Sequence, residues 1–290
     1  MRDPYLYDDV PVLKNKLNIK DADKLEAAEA DITFIKLLSI DKLNQGQNLD
    51  FNYVKAIHKH IFEDIYPFAG EPRTIQIYKA EPVLGGDTIR YSYPSEIEKN
   101  AKSVLDHMAE IKWKELILED RSREFSKNIA ALWQVHAFRE GNTRTTMTFA
   151  CHFADRYGFP LDKQLFKENS SYVRNALVKA SDGEYSDLKY LNKIMQDSMN
   201  LAEESFIVDQ IKSAGFRPTN ILVKKMKELN QVFQKRHTVK EIKGYYKNIN
   251  NFNKEKGELI KSVAQEFIDQ EIQTKKMNYM KQIHDNVIER

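Results

Sequence analysis

A single cysteine among 290 residues, Cys151, excludes an intrachain disulfide and fits a reducing compartment. It falls within a helical pattern, so a buried structural thiol is the expected role rather than a nucleophile. Glycine and proline are scarce, at 10 and 8, which favours long helices over turn-rich β architecture. No run of about 18 apolar residues occurs, so no membrane-spanning helix is expected. The first ten residues, MRDPYLYDDV, lack the basic-then-apolar pattern of a secretory signal. A cytoplasmic location is therefore expected, with secretion as an effector left open. Charge is not one-sided either: 45 Lys and Arg against 43 Asp and Glu leave a formal +2, which singles out no partner. Internal repeats and low-complexity blocks are absent.

A chain of this length can hold one large or two small domains with a substantial core. Its texture divides into three. Residues 1–50 carry Leu-rich helical segments, among them 21–40, whose apolar positions would cover the core. Residues 51–205 read as the main domain. From about Phe206 the pattern becomes long polar helices, after the breaker Gly215-Phe216-Arg217-Pro218. Within 221–261 there are eleven Lys and Arg against four Asp and Glu. This basic stretch, with Tyr245 and Tyr246, reads first as a solvated helical face, and nucleic acid is not the expected partner.

The densest chemistry lies in His136-Ala137-Phe138-Arg139-Glu140-Gly141-Asn142-Thr143-Arg144. Upstream, Phe125, Ile129, Leu132 and Trp133 fall at helical spacing. Downstream, Phe149, Cys151, Phe153 and Tyr157 do so again. Gly141-Asn142 is a turn signal with easy access to positive φ. The segment therefore reads as helix, tight loop, helix. A loop that opens a helix presents free N–H groups and the positive end of the dipole, which attract phosphate. Arg144 can add bidentate contacts to an anion. Glu140 is a hard oxygen ligand of the kind Mg²⁺ takes when substrate phosphates supply the rest. His136 can be neutral near pH 7 and accept a proton. Phe138 would point into the core. Arg139 reads as a solvated charge, and His58 and His60 as structural or solvated.

This stretch resembles the Fic (Fic/Doc) family motif, H-x-F-x-[D/E]-G-N-x-R-x-x-R. His136, Phe138, Glu140, Gly141, Asn142 and Arg144 fall in register. The resemblance implies a mostly α, Fic-type helical core with a small β-hairpin flap, followed here by a C-terminal helical extension. It implies His136 as general base and Glu140 as the Mg²⁺ ligand. Gly141, Asn142, Thr143 and Arg144 would form the anion hole for ATP phosphates, with Phe138 as anchor. The implied activity is transfer of AMP from Mg-ATP to a Ser, Thr or Tyr hydroxyl of a target protein. Residues 56–79 resemble the segment leading into the flap. Thr74 to Tyr78 and Thr88 to Tyr93 read as its two strands about the turn Val83 to Asp87. In the family the flap holds the target backbone as an added strand, which implies target contacts at Ile77, Tyr78 and Lys79. Residues 172–192 resemble the helices that close the core.

Three positions depart from the family pattern. Ala137 stands where Pro is frequent, and Thr143 where a small residue such as Gly is usual. Met147 replaces a second arginine that in the family contacts the γ-phosphate and pairs with an inhibitory glutamate. This change keeps other phosphate-ester transfers open, by phosphorylation or from another nucleotide or phosphocholine donor. A non-enzymatic nucleotide- or nucleic-acid-binding module is the further alternative. Ser262 to Phe267 meets the first part of the family's inhibitory pattern, [S/T]-x-x-x-E-[G/N], and fails its last position. A separate inhibitory protein, as in the family's toxin–antitoxin pairs, is thus a further possible partner.

Overall fold

The computed structural model describes residues 3–213 and 217–236, with residue 265 alone beyond them; side chains are described up to residue 228 and at 265. Tyr245, Tyr246 and the pattern at 262–267 lie outside the described residues, except for Gln265. The described chain falls into two compact units that meet at Met199 and Asn200.

The first unit is helical. It comprises α1 (Ala22–Leu37), α2 (Phe51–Phe62), α3 (Ile97–Glu110), α4 (Leu118–Val135), α5 (Asn142–Tyr157), α6 (Lys163–Glu168), α7 (Ser170–Ala180) and the first part of α8 (Lys189–Ser213). Local sequence sets the helix starts. Asp21 accepts from Lys24 N–H at 3.0 Å, and Asp50 from Tyr53 N–H at 3.0 Å, each meeting a donor the first turn leaves unpaired. In α2, Tyr53, Val54, Ile57, His58, Ile61 and Phe62 are buried at spacings of one helical face. Helix α5 has buried residues on nearly every side, from Thr145 through Ala154 with only Thr148 excepted, because it runs through the centre between α2 and α4. Trp113 joins the core from the loop before α4. It meets Phe125 and Phe153 edge to face at 5.7 Å each, and its Nε1–H donates to Met108 O at 2.8 Å. Met147 is 8% exposed and belongs to this core.

In the second unit, Ile207 and Ile211 of α8 pack against Leu222, Val223 and Met226 of α9 (Asn220–Arg236). Lys227 pairs with Glu204 at 2.7 Å. No helix among the described residues is long and apolar enough to cross a membrane.

The expected hairpin flap takes a different form. Residues 74–93 make one antiparallel bridge, Ala80 with Thr88, and no ladder of strands. The alternation survives: Ile77, Ile89 and Tyr91 are buried while Tyr78 is 74% exposed. What replaces the ladder is a set of side-chain bonds. Buried Arg73 donates to Ile75 O at 2.7 Å and also to Ser92 O, and Gln76 Nε2 donates to Tyr91 O at 3.3 Å. A two-stranded ribbon is marginal alone. Here the polar side chains satisfy carbonyls that strand pairing would have used, and link the two arms in its place.

Candidate active site

Helix α4 ends by placing His136 in the left-handed region, φ 49° and ψ 56°, a position glycine usually fills. Arg73 fixes that turn. Its Nε donates to His136 O at 2.8 Å and its backbone N–H to Ala137 O at 2.8 Å. The reversal carries the His136 ring into a buried slot, where it is 4% exposed. Tyr91 stacks on it at 3.8 Å and 20°, and Trp133 meets it at 5.2 Å and 90°. Neither ring nitrogen has a hydrogen-bond partner among the described residues. Burial first, then the charges of Lys79 and Arg73, hold its pKa well below the usual histidine value. The ring is therefore neutral at pH 7 and has a lone pair available for a proton.

The loop from 137 to 141 is braced from within. Asn142 Oδ1 accepts from Phe138 N–H at 2.9 Å, and Asn142 Nδ2 donates to Phe138 O at 2.7 Å. Phe138 stacks on His58 at 3.8 Å and 16°, in the core as expected. Gly70 N–H donates to His58 Nδ1 at 2.8 Å, so Nε2 carries the proton and donates to Glu140 O at 3.0 Å. Burial lowers the His58 pKa to about 4 and keeps this arrangement neutral. Gly141 has φ +77°, and an added Cβ would lie 2.3 Å from two ring atoms of Phe62. Glycine is required there by both conformation and space.

Helix α5 opens at Asn142, and its first intrahelical bond in this turn is Thr145 N–H to Gly141 O at 3.0 Å. The N–H groups of Asn142, Thr143 and Arg144 precede it at the positive end of a long helix. Thr143 Oγ1 accepts from Trp133 Nε1 at 2.9 Å, a use for the hydroxyl that the motif does not announce. Glu140 Oε1 accepts from Gly141 N–H at 3.1 Å, and Oε2 lies 3.4 Å from Lys79 Nζ. Burial opposes its charge, but Lys79, the Gly141 N–H and Arg139 prevail and hold its carboxyl below the usual range.

Arg144 reaches α1. Both its terminal nitrogens lie 3.2 Å from Glu29 Oε1, and one donates to Thr33 Oγ1 at 2.9 Å. Tyr66 donates its hydroxyl to the other Glu29 oxygen. Arg139 is not a solvated charge: it pairs with Asp3 at 3.0 and 2.8 Å, and both side chains are largely covered. Of the expected flap contacts, Tyr78 faces outward, Lys79 turns toward Glu140 and Ile77 packs into the core. Residues 74–79 with Asp3 and Arg139 line a groove of about 590 Å³.

Residues 48–154 match the Fic/DOC family. They form a Fic domain. The chain is 29% identical over 194 residues to a probable protein adenylyltransferase, y4lH, of Sinorhizobium fredii, covering 65% of this chain and 93% of that protein. It is 29% identical over 161 residues to the protein adenylyltransferase VbhT of Bartonella schoenbuchensis, covering 55% of this chain and only 32% of VbhT. Among solved structures, the BepC effector of Bartonella tribocorum with bound AMPPNP superposes with a TM-score of 0.55 at 21% identity, over 67% of this chain and 95% of that one. That likeness establishes the helical Fic fold. Both curated relatives carry the name of protein adenylyltransferases, a nucleotidyltransferase activity.

Several residues that brace this loop and the flap beside it are invisible in the motif: Glu29, Thr33, His58, Arg73, Glu81, Tyr91 and Arg174. Of these, the sequence marks only His58, as structural or solvated. Its neighbour at Gly70 and the stack on Phe138 supply the reason.

Two outcomes follow from this geometry. His58, His136 and His152 all have pKa values below the ordinary 6.5, with His58 near 4. The unfolded chain takes up these protons near pH 6.5 while the native state resists them. Their contribution to stability is thus complete above pH 6.5 and is lost as pH falls below it, for His58 down to about 4. Thermal melts across that window should show a steep fall in Tm, and a shallower one in His58→Gln. An identical slope in the variant would remove His58 from the account. Gly141→Ala should cost roughly 2–4 kcal/mol in urea unfolding, from left-handed strain and the clash with Phe62. Adding Phe62→Leu should recover part of it.

Proposed function

We propose that this Fic domain transfers AMP from Mg-ATP to a Ser, Thr or Tyr hydroxyl of a target protein. The observation that carries this reading is His136: a buried, neutral imidazole whose nitrogens have no partner among the described residues, in the turn that leads into the helix with N–H groups suited to phosphate. Packing alone gives no reason to bury an imidazole without a single hydrogen bond.

The Glu140 site fits Mg²⁺. Its carboxylate is kept ionised and offers hard oxygen donors. A single carboxylate suits a cation that draws most of its ligands from substrate phosphates and water. When bound, Mg²⁺ would neutralise charge on the phosphates. His136 takes the proton of the target hydroxyl as its oxygen attacks the α-phosphorus. The bond from that phosphorus to the bridging oxygen breaks, and pyrophosphate leaves. The N–H groups opening α5 stabilise charge on the α-phosphate oxygens. Arg144 adds its charge beside them, held in place by Glu29 and Thr33. The target lies along the groove at 74–79, with exposed Tyr78 on its rim. The names of the relatives y4lH and VbhT support adenylyl as the group moved. Restraint by a separate inhibitory protein and action in the cytoplasm belong to the same proposal.

A second reading, transfer of a different phosphate-ester group, is favoured by one observation. Met147 is an apolar core residue and supplies no cation at its turn of α5. Reverting it to arginine would bury a guanidinium, so a gain of function from that variant is a poor discriminator.

Labelling separates the two. With Mg²⁺ and ATP labelled at the α- or the γ-phosphate, protein should take up label from the α-position only. His136→Ala should abolish uptake while ATP binding persists. Uptake from the γ-position would make the enzyme a kinase, and full activity in His136→Ala would remove the base from the mechanism. The acid limb of the wild-type rate profile should lie below pH 6.5, since the base resists protonation. Glu140→Ala should need roughly 10-fold or more Mg²⁺ for half-maximal rate; an unchanged requirement would exclude it as a ligand.

A further inference from the structure

A general base is ordinarily oriented by a hydrogen bond on its second nitrogen. His136 has none among the described residues, yet its ring lies in one defined slot. The contact that defines the slot is the face of Tyr91, at 3.8 Å and 20°. We propose that Tyr91 is the positioning residue of the base: its ring orients His136 by stacking and stabilises the imidazolium formed as the proton is taken. This rests on the reading of His136 as the base.

Tyr91 is itself immobilised. It is buried on the return arm of the flap, with its edge toward Trp133 at 5.9 Å and 76°. Its hydroxyl donates to Glu81 Oε1 at 3.3 Å. Glu81, 0% exposed, begins the turn at the flap tip and is gripped by Arg174 of α7 at 2.8 and 3.0 Å. A carboxylate is not buried to this depth without a fully bonded partner. Here the pair joins flap to helix and locks the hydroxyl between them. The chain Arg174, Glu81, Tyr91, His136 thus runs from α7 through both arms of the flap to the base.

The stack favours one side of the reaction. A neutral imidazole on a phenol face gains ordinary dispersion, whereas an imidazolium on the same face also gains from the negative ring quadrupole. The gain is larger in a slot closed to water. Lys79, Arg73 and Arg174 all oppose the protonated ring. The Tyr91 face counters them at the moment of transfer without introducing an anion that would trap the proton beforehand. Neither ring nitrogen is engaged by another group among the described residues, so no bond within the protein has to break before one of them takes the proton.

The test compares Tyr91→Leu with Tyr91→Phe in the 290-residue chain, by Mg-ATP kinetics and by NMR of the His136 ring protons. Tyr91→Leu should lower kcat roughly 10-fold with KM for Mg-ATP unchanged. It should also move the His136 ring protons downfield as the ring current is lost, and weaken their contact with Trp133. Tyr91→Phe keeps the face and should stay within about 3-fold of wild type, with wild-type His136 signals. An undiminished kcat in Tyr91→Leu overturns the inference. So does a Tyr91→Phe variant as impaired as Tyr91→Leu, which would assign the role to the hydroxyl. Should the wild type transfer nothing, the functional reading fails first. The NMR comparison still decides the positioning: a His136 ring that keeps its Trp133 contact in Tyr91→Leu does not depend on Tyr91.

Discussion

The guanidinium of Arg73 organises this molecule around its site. It is 2% exposed and donates to His136 O, Ile75 O, Ser92 O and Gln76 Oε1, while its own N–H holds Ala137 O. Burial lowers its pKa, yet every acceptor around it is a carbonyl and not a carboxylate. Carbonyl dipoles disperse the charge without cancelling it, so part of it still reaches the His136 ring. One side chain therefore fixes the left-handed turn at the end of α4, joins the two arms of the flap and biases the base toward its neutral form. A lysine could not do this, because the task needs several donors spread in a fixed plane.

Around that hub the site is built in layers of fixed geometry. Beneath the loop lie His58, Phe138 and the Phe62 ring, packed so closely that Gly141 has no room for a methyl group. Above it are Tyr91 and Trp133. At the sides, carboxylates from separate parts of the chain meet the cations: Asp3 meets Arg139 and Glu29 meets Arg144. Lys79 and Glu140 complete the set from within the cleft. Each of these three cations is thus already paired with a carboxylate, whereas α5 opens without a side-chain cap on its first N–H groups.

The local parts of this arrangement were legible in the sequence, and the through-space parts were not. Phe138, Gly141 and Asn142 lie within a few residues of one another, so their turn chemistry shows in the spacing. The helices on either side show in their apolar periodicity. Glu29, Arg73, Tyr91 and Arg174 reach the site from four other segments, and nothing in their neighbours marks them. The flap shows how a correct pattern can mislead. Thr74 to Tyr78 does alternate, with Ile77 inward and Tyr78 outward. But alternation reports which face is buried, not whether a backbone finds a strand partner, and here Arg73 and Gln76 take the carbonyls instead. Arg139 departs from its expected solvated state for a related reason. Its partner Asp3 lies 136 residues away, and a surface arginine looks the same as a paired one in sequence.

Cys151 lies on α5 with its thiol enclosed by the core, and burial pushes its pKa up to about 12. It is the sole sulfhydryl of the chain and is chemically silent. A cysteine introduced on the outer face of the flap, at the exposed position of Tyr78, would therefore be the one reactive thiol in the protein. Dyes, spin labels and crosslinkers could be placed beside the cleft with no native residue removed from the core.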